Sequence, residues 1–284
     1  MFKKLSLATV VAATTVLAAC GGGGGGGSGG GTTPPPPTTV SGPLDPAQES
    51  LSAEVISPLT TAAAGTPLEG VLNCTDLVVN ENILDIVDAF ALALANPTTL
   101  SSTAPRLAQG ALNELTGNLS GYLTSLAGAQ DCIGITGEVP TTNPLAGTPL
   151  DVLGAELLPV LTQVQAMLPA NDEQLTAAQL NQIVTMLSNA FNEGIASLGT
   201  DPSTLPFFGD SLLTVQSALD DLATLTAMGA VPGSDPTVIA GQIQDTVDSI
   251  LSNELTQLLP VADLEDAAGG GDLVATLEAA IAQL

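Results

Sequence analysis

Histidine and tryptophan are absent from this sequence, and basic and aromatic residues are scarce. Without an imidazole the chain has no Ser-His-Asp or Cys-His nucleophile pair, no HExxH zinc site and no histidine pH switch. The 3 Lys and Arg residues stand against 29 Asp and Glu residues, which gives a formal charge of -26. Binding to phosphate backbones or anionic headgroups depends on basic residues, so this composition excludes nucleic acid as a partner.

The imbalance comes from missing bases and not from an excess of acids. Only 11% of the residues are charged, whereas an average domain has about 25%. Hydrophobic residues make up 45% of the chain, and a disordered acidic chain would combine high net charge with low hydrophobicity. We therefore expect most of the chain to bury a core.

The N-terminus has the pattern of a bacterial export signal. Lys3 and Lys4 precede an apolar stretch, Leu5–Val16, which is too short to span a bilayer but typical of a signal peptide. The stretch ends in Leu17-Ala18-Ala19-Cys20, which resembles the lipobox of bacterial lipoproteins. The resemblance implies cleavage after residue 19 and acylation of Cys20, which anchors the chain to a membrane. An ordinary signal peptide with an incidental cysteine is the alternative.

Residues 20–43 are predicted to be a flexible tether after the lipidated cysteine. Gly21–Gly31 is interrupted only by Ser28, and Pro34–Pro37 follows shortly afterwards. The tract formally contains G-x-S-x-G around Ser28, but it lacks the strand, helix and histidine that a nucleophile elbow needs. In many Gram-negative lipoproteins an Asp after the lipidated cysteine signals inner-membrane retention. By that resemblance, Gly21 favours the outer membrane over the inner membrane.

The remaining chain, from Leu44 onward, predicts an all-α bundle of about seven amphipathic helices. The clearest helix is Thr176–Leu198, where apolar residues recur at spacings of three and four. Thr176 and Gln179 form a capping-box pair, and Gly199 follows as a stop. Asp235 and Pro236 indicate another helix start. The other predicted helices cover about 82–95, 106–127, 150–168, 210–228, 235–260 and 272–284.

The sequence predicts an internal boundary at 137–149, a stretch rich in Gly, Pro and Thr. It separates a first helical part, 44–140, from a second, 150–284, either as one bundle or as two sub-bundles. The residues Ala64–Glu69 recur with one change as Ala146–Asp151. A duplication would explain this match, but a shared need for the same turn and helix start explains it more simply.

Two cysteines, Cys74 and Cys132, remain after Cys20 is assigned to the anchor. Export places them in an oxidising compartment, so we predict that they form a disulfide. They are far apart in sequence and belong to no CxxC motif, which argues against a redox-active pair.

Paired acids raise the question of a glycosidase or a calcium site. The pairs are Asp85/Asp88, Asp220/Asp221, Asp245/Asp248 and Glu265/Asp266. No calcium-binding loop pattern accompanies them, and sugar sites rely on aromatic surfaces that this chain scarcely has. Acids three residues apart on a helix are usually its solvated face, and we expect that here. The sequence thus predicts no catalytic residue, metal or cofactor.

The functional prediction is a non-enzymatic envelope lipoprotein that binds apolar ligands such as lipid, fatty acid or hydrocarbon. Its composition resembles accessory lipoproteins made beside outer-membrane hydrocarbon or fatty-acid channels, which implies transfer of cargo to such a transporter. The charge favours cargo that is apolar, neutral or cationic. The alternative is a structural or surface-interaction lipoprotein that acts as a spacer, matrix component or assembly factor. The ligand-binding residues cannot be named from the sequence.

Overall fold

A computed structural model describes residues 42–257 except 130–131, 133–138, 170–173, 206–207 and 232. These residues form helices and turns without a strand, which confirms the all-α prediction. The predicted signal peptide, Cys20, most of the tether, the pair Glu265/Asp266 and the predicted helix 272–284 lie outside the described residues.

The described residues of the first part of the fold form three helices. In each of the first two, a π-helical stretch lies between two α-helical stretches, and the third is one long α-helix. The elements are α1 (Asp45–Leu51), π1 (Ser52–Ile56), α2 (Ser57–Ala62), α3 (Pro67–Thr75), π2 (Asp76–Ile83), α4 (Leu84–Ala93) and α5 (Leu100–Leu126). The second part contains α6 (Asp151–Met167), α7 (Ala177–Ala196), α8 (Gly209–Ala230) and α9 (Pro236–Gln257).

The strongest helix signals in the sequence are confirmed at atomic detail. The Thr176 hydroxyl accepts the backbone N–H of Gln179 at 3.2 Å, and the Gln179 side chain accepts the N–H of Thr176 at 3.0 Å. Gly199, with a φ of 67°, follows the end of α7 in the left-handed region that favours glycine. Asp235 accepts the N–H of Thr237 at 2.9 Å and so caps α9.

Helix α5 begins six residues before the predicted start at Arg106, because Pro105 lies inside the helix and does not end it. Proline removes one backbone donor from a helix interior and normally breaks it. Here Leu100, Ala104 and Ala108 are buried on the same side of α5. Their packing outweighs the local cost of the proline, and the helix continues through it.

Residues 42–62, which we call the N-terminal strap, lie across the outside of the first part. α1 and π1 contact π2, and α2 contacts α3. Leu44, Leu51, Ile56 and Leu59 of the strap are all buried. Each buried leucine or isoleucine contributes roughly 1.5–3 kcal/mol relative to an exposed one. The strap is therefore held mainly by four apolar anchors and by the polar contacts described below.

The helices behind the strap share one continuous apolar core. α5 packs against α3, π2 and α4, while α6 packs on α7, α7 on α8 and α8 on α9. α8 also contacts α3 and π2, and the buried residues of both parts form a single cluster. A Cβ added at Gly229 of α8 would collide with the ring of Phe90 on α4. Glycine at this position lets the two helices approach closely.

The repeated sequence forms the same turn at both places. Gly65 and Gly147 have φ values of 79° and 80°. The Thr66 hydroxyl donates to the carbonyl of Ala63 at 2.6 Å, and the Thr148 hydroxyl donates to that of Leu145 at 2.7 Å. This common geometry accounts for glycine followed by threonine in each copy.

Candidate functional site

Ionisable and amide side chains collect where the strap crosses π2 and α4. π-helical turns are rare and frequently occur at functional sites, and carboxyls with displaced pKa values also mark such places. Both features meet here. The side chains that form this group, which we call the strap cluster, are Gln48, Ser52, Asp76, Asn80, Asp85 and Asp88.

A pair of amide residues joins α1 to π2 in both directions. Nε2 of Gln48 donates to the backbone carbonyl of Asn80 at 2.8 Å. Nδ2 of Asn80 donates to the backbone carbonyl of Gln48 at 3.1 Å. The same Gln48 nitrogen reaches Oδ1 of Asp85 at 3.1 Å. The strap thus supplies hydrogen-bond partners to a helix whose ladder is widened by its π-helical turns.

The two π-helical stretches are joined at their first residues. The hydroxyl of Ser52 donates to Oδ2 of Asp76 at 2.8 Å. Oδ1 of Asp76 accepts from Nδ2 of Asn80 at 3.0 Å, so this carboxyl has a partner on each oxygen. Oδ1 of Asn80 is buried and has no hydrogen-bond partner within the described part of the chain. A buried acceptor without a donor costs stability.

The beginning of the strap contacts two carboxyls, Asp88 of α4 and Asp45 of the strap itself. The backbone N–H of Leu44 donates to Oδ1 and Oδ2 of Asp88 at 3.0 and 3.2 Å. The backbone N–H of Gly42 donates to Oδ1 of Asp45 at 2.8 Å. The carboxyls of Asp45 and Asp88 also share a hydrogen bond. A Cβ at residue 42 would collide with the Asp88 carboxyl, so only glycine lets the backbone lie against it.

Burial controls the protonation of this cluster. Burial raises the pKa of Asp88 to about 8. The hydrogen bond from the N–H of Leu44 lowers this pKa, whereas the charges of Asp45 and Asp85 raise it further. Burial likewise raises the pKa of Asp85 to about 6. Burial also raises the pKa of Asp76. The only base that follows Lys4 in the sequence is Arg106, which is exposed on α5. Asp88 consequently keeps its proton at neutral pH.

The sequence-based expectation for Asp85/Asp88 was wrong, since this pair does not lie on a solvated face. Asp88 is fully buried and Asp85 is half-buried. Asp245 and Asp248 are both exposed on α9, as expected. A signal for Asp88 was present in the sequence: it occupies a position on the stripe of Leu84, Val87 and Ala91, where an acid faces the core.

The pair Asp220/Asp221 on α8 is divided between two environments. Oδ1 of Asp220 accepts from the Ser188 hydroxyl at 2.5 Å and from Nδ2 of Asn192 at 2.7 Å, both on α7. Burial raises the pKa of Asp221, while its hydrogen bond with Ser249 on α9 lowers it. These acids join neighbouring helices and form no common site.

A second polar group lies inside the core, where sequence periodicity gave no signal. The Ser211 hydroxyl of α8 lies 2.6 Å from that of Thr75 on α3 and 2.7 Å from the hydroxyl of Tyr122 on α5. Thr75 in turn donates to the carbonyl of Val71 at 2.8 Å. Burial raises the pKa of Tyr122 far above its ordinary value. This closed network fixes three helices relative to one another.

The predicted disulfide is confirmed. Cys74 on α3 and Cys132 are bonded, with their Cα atoms 5.0 Å apart. Cys74 is fully buried, so the bond attaches the chain after α5 to the interior of the first part. Cys20 lies outside the described residues, and its lipidation stays a prediction.

The strap cluster can accept hydrogen bonds and hold or release protons. Its carboxyls already have donors from the strap, and in the described ranges no group of three His, Cys, Asp or Glu side chains is arranged to hold a metal ion. These side chains join the strap to π2 and α4.

Comparisons with protein families, curated proteins and solved structures gave no match to this chain. Over the described ranges, no helix has both the length and the apolar character that crossing a bilayer requires.

Proposed function

We propose that this protein is a non-enzymatic envelope lipoprotein, anchored through Cys20, whose helical body binds apolar ligands. The observation that carries the ligand proposal is an apolar interior covered by a short strap. Lipid, fatty acid and hydrocarbon are the ligand classes that fit such an interior. An outer-membrane transporter that receives this cargo is the proposed partner.

The anchor follows from the lipobox-like sequence before Cys20. Multiple acyl chains hold a protein at a membrane far more stably than a single chain. Mass spectrometry of the protein extracted from membranes should find residue 20 at the N-terminus with acyl groups attached. The variant Cys20→Ala should lose both the added mass and the membrane association, and retention of either would contradict the anchor.

The interior is suited to aliphatic ligands because its buried side chains are mostly Leu, Ile, Val and Ala. Ligand entry requires one element to move, since these side chains pack on each other. The strap covers part of this core, and its α-helical stretches have only 7 and 6 residues and are interrupted by π1. Segments held by few apolar contacts open at lower free energy than the core helices.

Charge restricts the cargo further. With Arg106 as the single base after Lys4, the body offers little to pair with an anionic headgroup. Hydrocarbons, neutral lipids, protonated fatty acids and cationic amphiphiles remain as suitable ligands. We therefore expect the protein to bind alkanes and fatty alcohols most tightly and phosphatidic acid most weakly.

The direct test is mass spectrometry of the purified full-length protein, combined with melting curves in the presence of long-chain alcohols. We expect co-extracted lipid and a rise in melting temperature that grows with chain length, because ligand binding stabilises the folded state. An unrelated helical protein of similar hydropathy serves as the control. Absence of co-extracted lipid together with unchanged melting would contradict the ligand proposal.

A structural or surface-interaction role is the second candidate, and the closed packing of the second part favours it. The apolar stripe of α7 is buried against its neighbours. The large apolar side chains that are exposed in the described ranges lie on or next to four different helices, α4, α6, α8 and α9: Leu92, Val152, Val231 and Val238. Crosslinking in intact cells should then trap a protein partner, while apolar ligands should bind no better than they bind the control protein.

A further inference from the structure

The two ends of the strap are attached to the body in different ways. Its later residues are anchored by apolar side chains such as Leu51 and Leu59. Its first residues are held by the backbone N–H of Leu44, which donates to Asp88 of α4, and by the contact between the Asp45 and Asp88 carboxyls. The apolar anchors are insensitive to pH, whereas the attachment at the beginning of the strap depends on carboxyls that face each other.

We propose that the Asp88 carboxyl, which contacts Asp45 of the strap, is a proton-dependent latch: it holds the strap on the body while it is protonated, and it releases the strap when it is ionised. The proton lets the Asp88 carboxyl donate a hydrogen bond to that of Asp45. Loss of that proton leaves two negative charges in contact, at a place from which the strap excludes water. Repulsion and solvation then both favour opening.

The groups on α1 and α4 act in the same direction. Asp45 lies across the latch on α1, and Asp85 lies one turn before Asp88 on α4; both add negative charge near Asp88. The pKa of Asp88, about 8 in the closed strap, falls toward the ordinary value of an aspartate when the strap leaves and water enters. The closed strap therefore binds the proton more tightly than the open one, and protons favour closure.

The other elements packed on α4 supply acids and one base, Arg106, which is exposed on α5 and is not among the charges that shift the pKa of Asp88. On π2, Glu81 interacts unfavourably with Asp85, and Glu114 of α5 interacts unfavourably with both. On α8 and α9, Asp221 and Asp245 act on each other. Since the groups other than Arg106 are acidic, none of them offers a positive charge that would hold an ionised Asp88 in place.

The test is hydrogen exchange of the full-length chain between pH 6 and pH 8, with rates corrected for the intrinsic pH dependence of amide exchange. In this window the opening constant of the strap amides should rise by up to about tenfold per pH unit, the dependence that release of one proton imposes. Amides in the middle of α7 should show no such increase. This measurement needs no ligand, so the latch and the proposed function can fail separately.

Matched variants separate the latch from general effects of charge. In Asp88→Asn the amide reproduces the protonated carboxyl, so the strap amides should become insensitive to pH in this window. Asp248→Asn, which removes an exposed acid on α9, should keep the full dependence. Asp45→Asn supplies an amide donor for ionised Asp88 and should reduce the dependence, which provides a second test if Asp88→Asn does not fold.

Three results would overturn the proposal. The first is strap exchange in the unmodified protein that follows the intrinsic rate alone. The second is an unchanged pH dependence in Asp88→Asn or, if that variant does not fold, in Asp45→Asn. The third is an equal pH dependence of the α7 amides, because opening would then involve the whole fold.

Discussion

The backbone N–H of Leu44 donates to both carboxyl oxygens of Asp88, at 3.0 and 3.2 Å, across a sequence separation of 44 residues. Leu44 is the N-cap residue of α1, and its own side chain offers no capping oxygen. The first N–H groups of a helix have no partner within the helix. Asp88, on a different helix, supplies the hydrogen-bond acceptor for the N–H of Leu44. A residue distant in sequence thus caps the start of α1.

The first prediction concerns stability against pH. A carboxyl whose pKa is higher in the folded state than in the unfolded state stabilises the fold while it is protonated, and this contribution is lost as pH rises. With the pKa of Asp88 raised to about 8, the free energy of unfolding should fall by up to about 1.4 kcal/mol per pH unit from pH 6 to pH 8. Urea titrations at several pH values measure this decrease in the free energy of unfolding.

The variants Asp88→Asn and Asp248→Asn provide the comparison for that prediction. Asp88→Asn should flatten the curve between pH 6 and pH 8, whereas Asp248→Asn should follow the unmodified protein. Below pH 6 a slope should persist in both, because burial also raises the pKa of Asp85 to about 6. Stability that increases from pH 6 to pH 8 would contradict the burial of a neutral Asp88.

The second prediction compares two glycines. Gly42→Ala should destabilise the strap by about 1–3 kcal/mol, because the new Cβ collides with the Asp88 carboxyl. Gly241→Ala, in an exposed position of α9 with open space around it, should stabilise the protein by up to about 1 kcal/mol through helix propensity. Hydrogen exchange of the strap and urea titration measure the two effects. Equal effects at both positions would argue against close contact at residue 42.

The third prediction concerns the buried hydroxyl network. Ser211→Ala removes the partner of the Tyr122 hydroxyl, which is fully buried. Leaving a buried polar group unpaired costs about 1–3 kcal/mol. Thr214→Val on the same helix should cost less, because the Thr214 hydroxyl bonds to the carbonyl of Asp210 within its own helix and not to a side chain of another helix in the described ranges. Thermal unfolding of both variants compares these costs.

A double-mutant cycle provides the control for this network. Tyr122→Phe should cost less in the Ser211→Ala background than in the unmodified protein, because each change removes the same hydrogen bond. Strictly additive losses would show that the two hydroxyls act independently.

The fourth prediction concerns the disulfide. The bond between Cys74 and Cys132 closes a loop with a sequence separation of 58, so its loss should lower stability by about 4 kcal/mol by loop-closure entropy. Cys132→Ala tests this with little loss of packing, since the buried Cys74 remains as a small apolar side chain. Reductant should destabilise the unmodified protein to the level of the variant and leave the variant unchanged. An effect of reductant on Cys132→Ala would place the cause elsewhere.

The helices of the second part could be predicted from the sequence because local signals and packing agree there. Thr176 and Gln179 cap α7 as the sequence predicts, and the apolar stripe that begins at Leu180 faces the core. In the first part the signals disagree. Pro105 indicates a helix end, but α5 continues through it. The helix predicted to start near residue 82 in fact begins earlier, because α3 and π2 precede α4 without interruption.

The strap cluster was missed for a different physical reason. Spacing places Asp85 and Asp88 on one helix face, but it does not tell whether that face meets water or another segment. The answer depends on Leu44 and Gln48, which approach from a distant part of the chain. The disulfide could be predicted because assigning Cys20 to the predicted lipid anchor leaves one pair of cysteines.

A carbon-13 NMR titration of the Asp88 carboxyl, assigned by comparison with Asp88→Asn, measures its protonation in the folded protein directly. We expect a midpoint near pH 8, the pKa to which burial raises this group, and we expect the amide signal of Leu44 to move at the same pH. A midpoint near 4, the ordinary value of a solvated aspartate, would contradict a buried, protonated carboxyl that holds the strap.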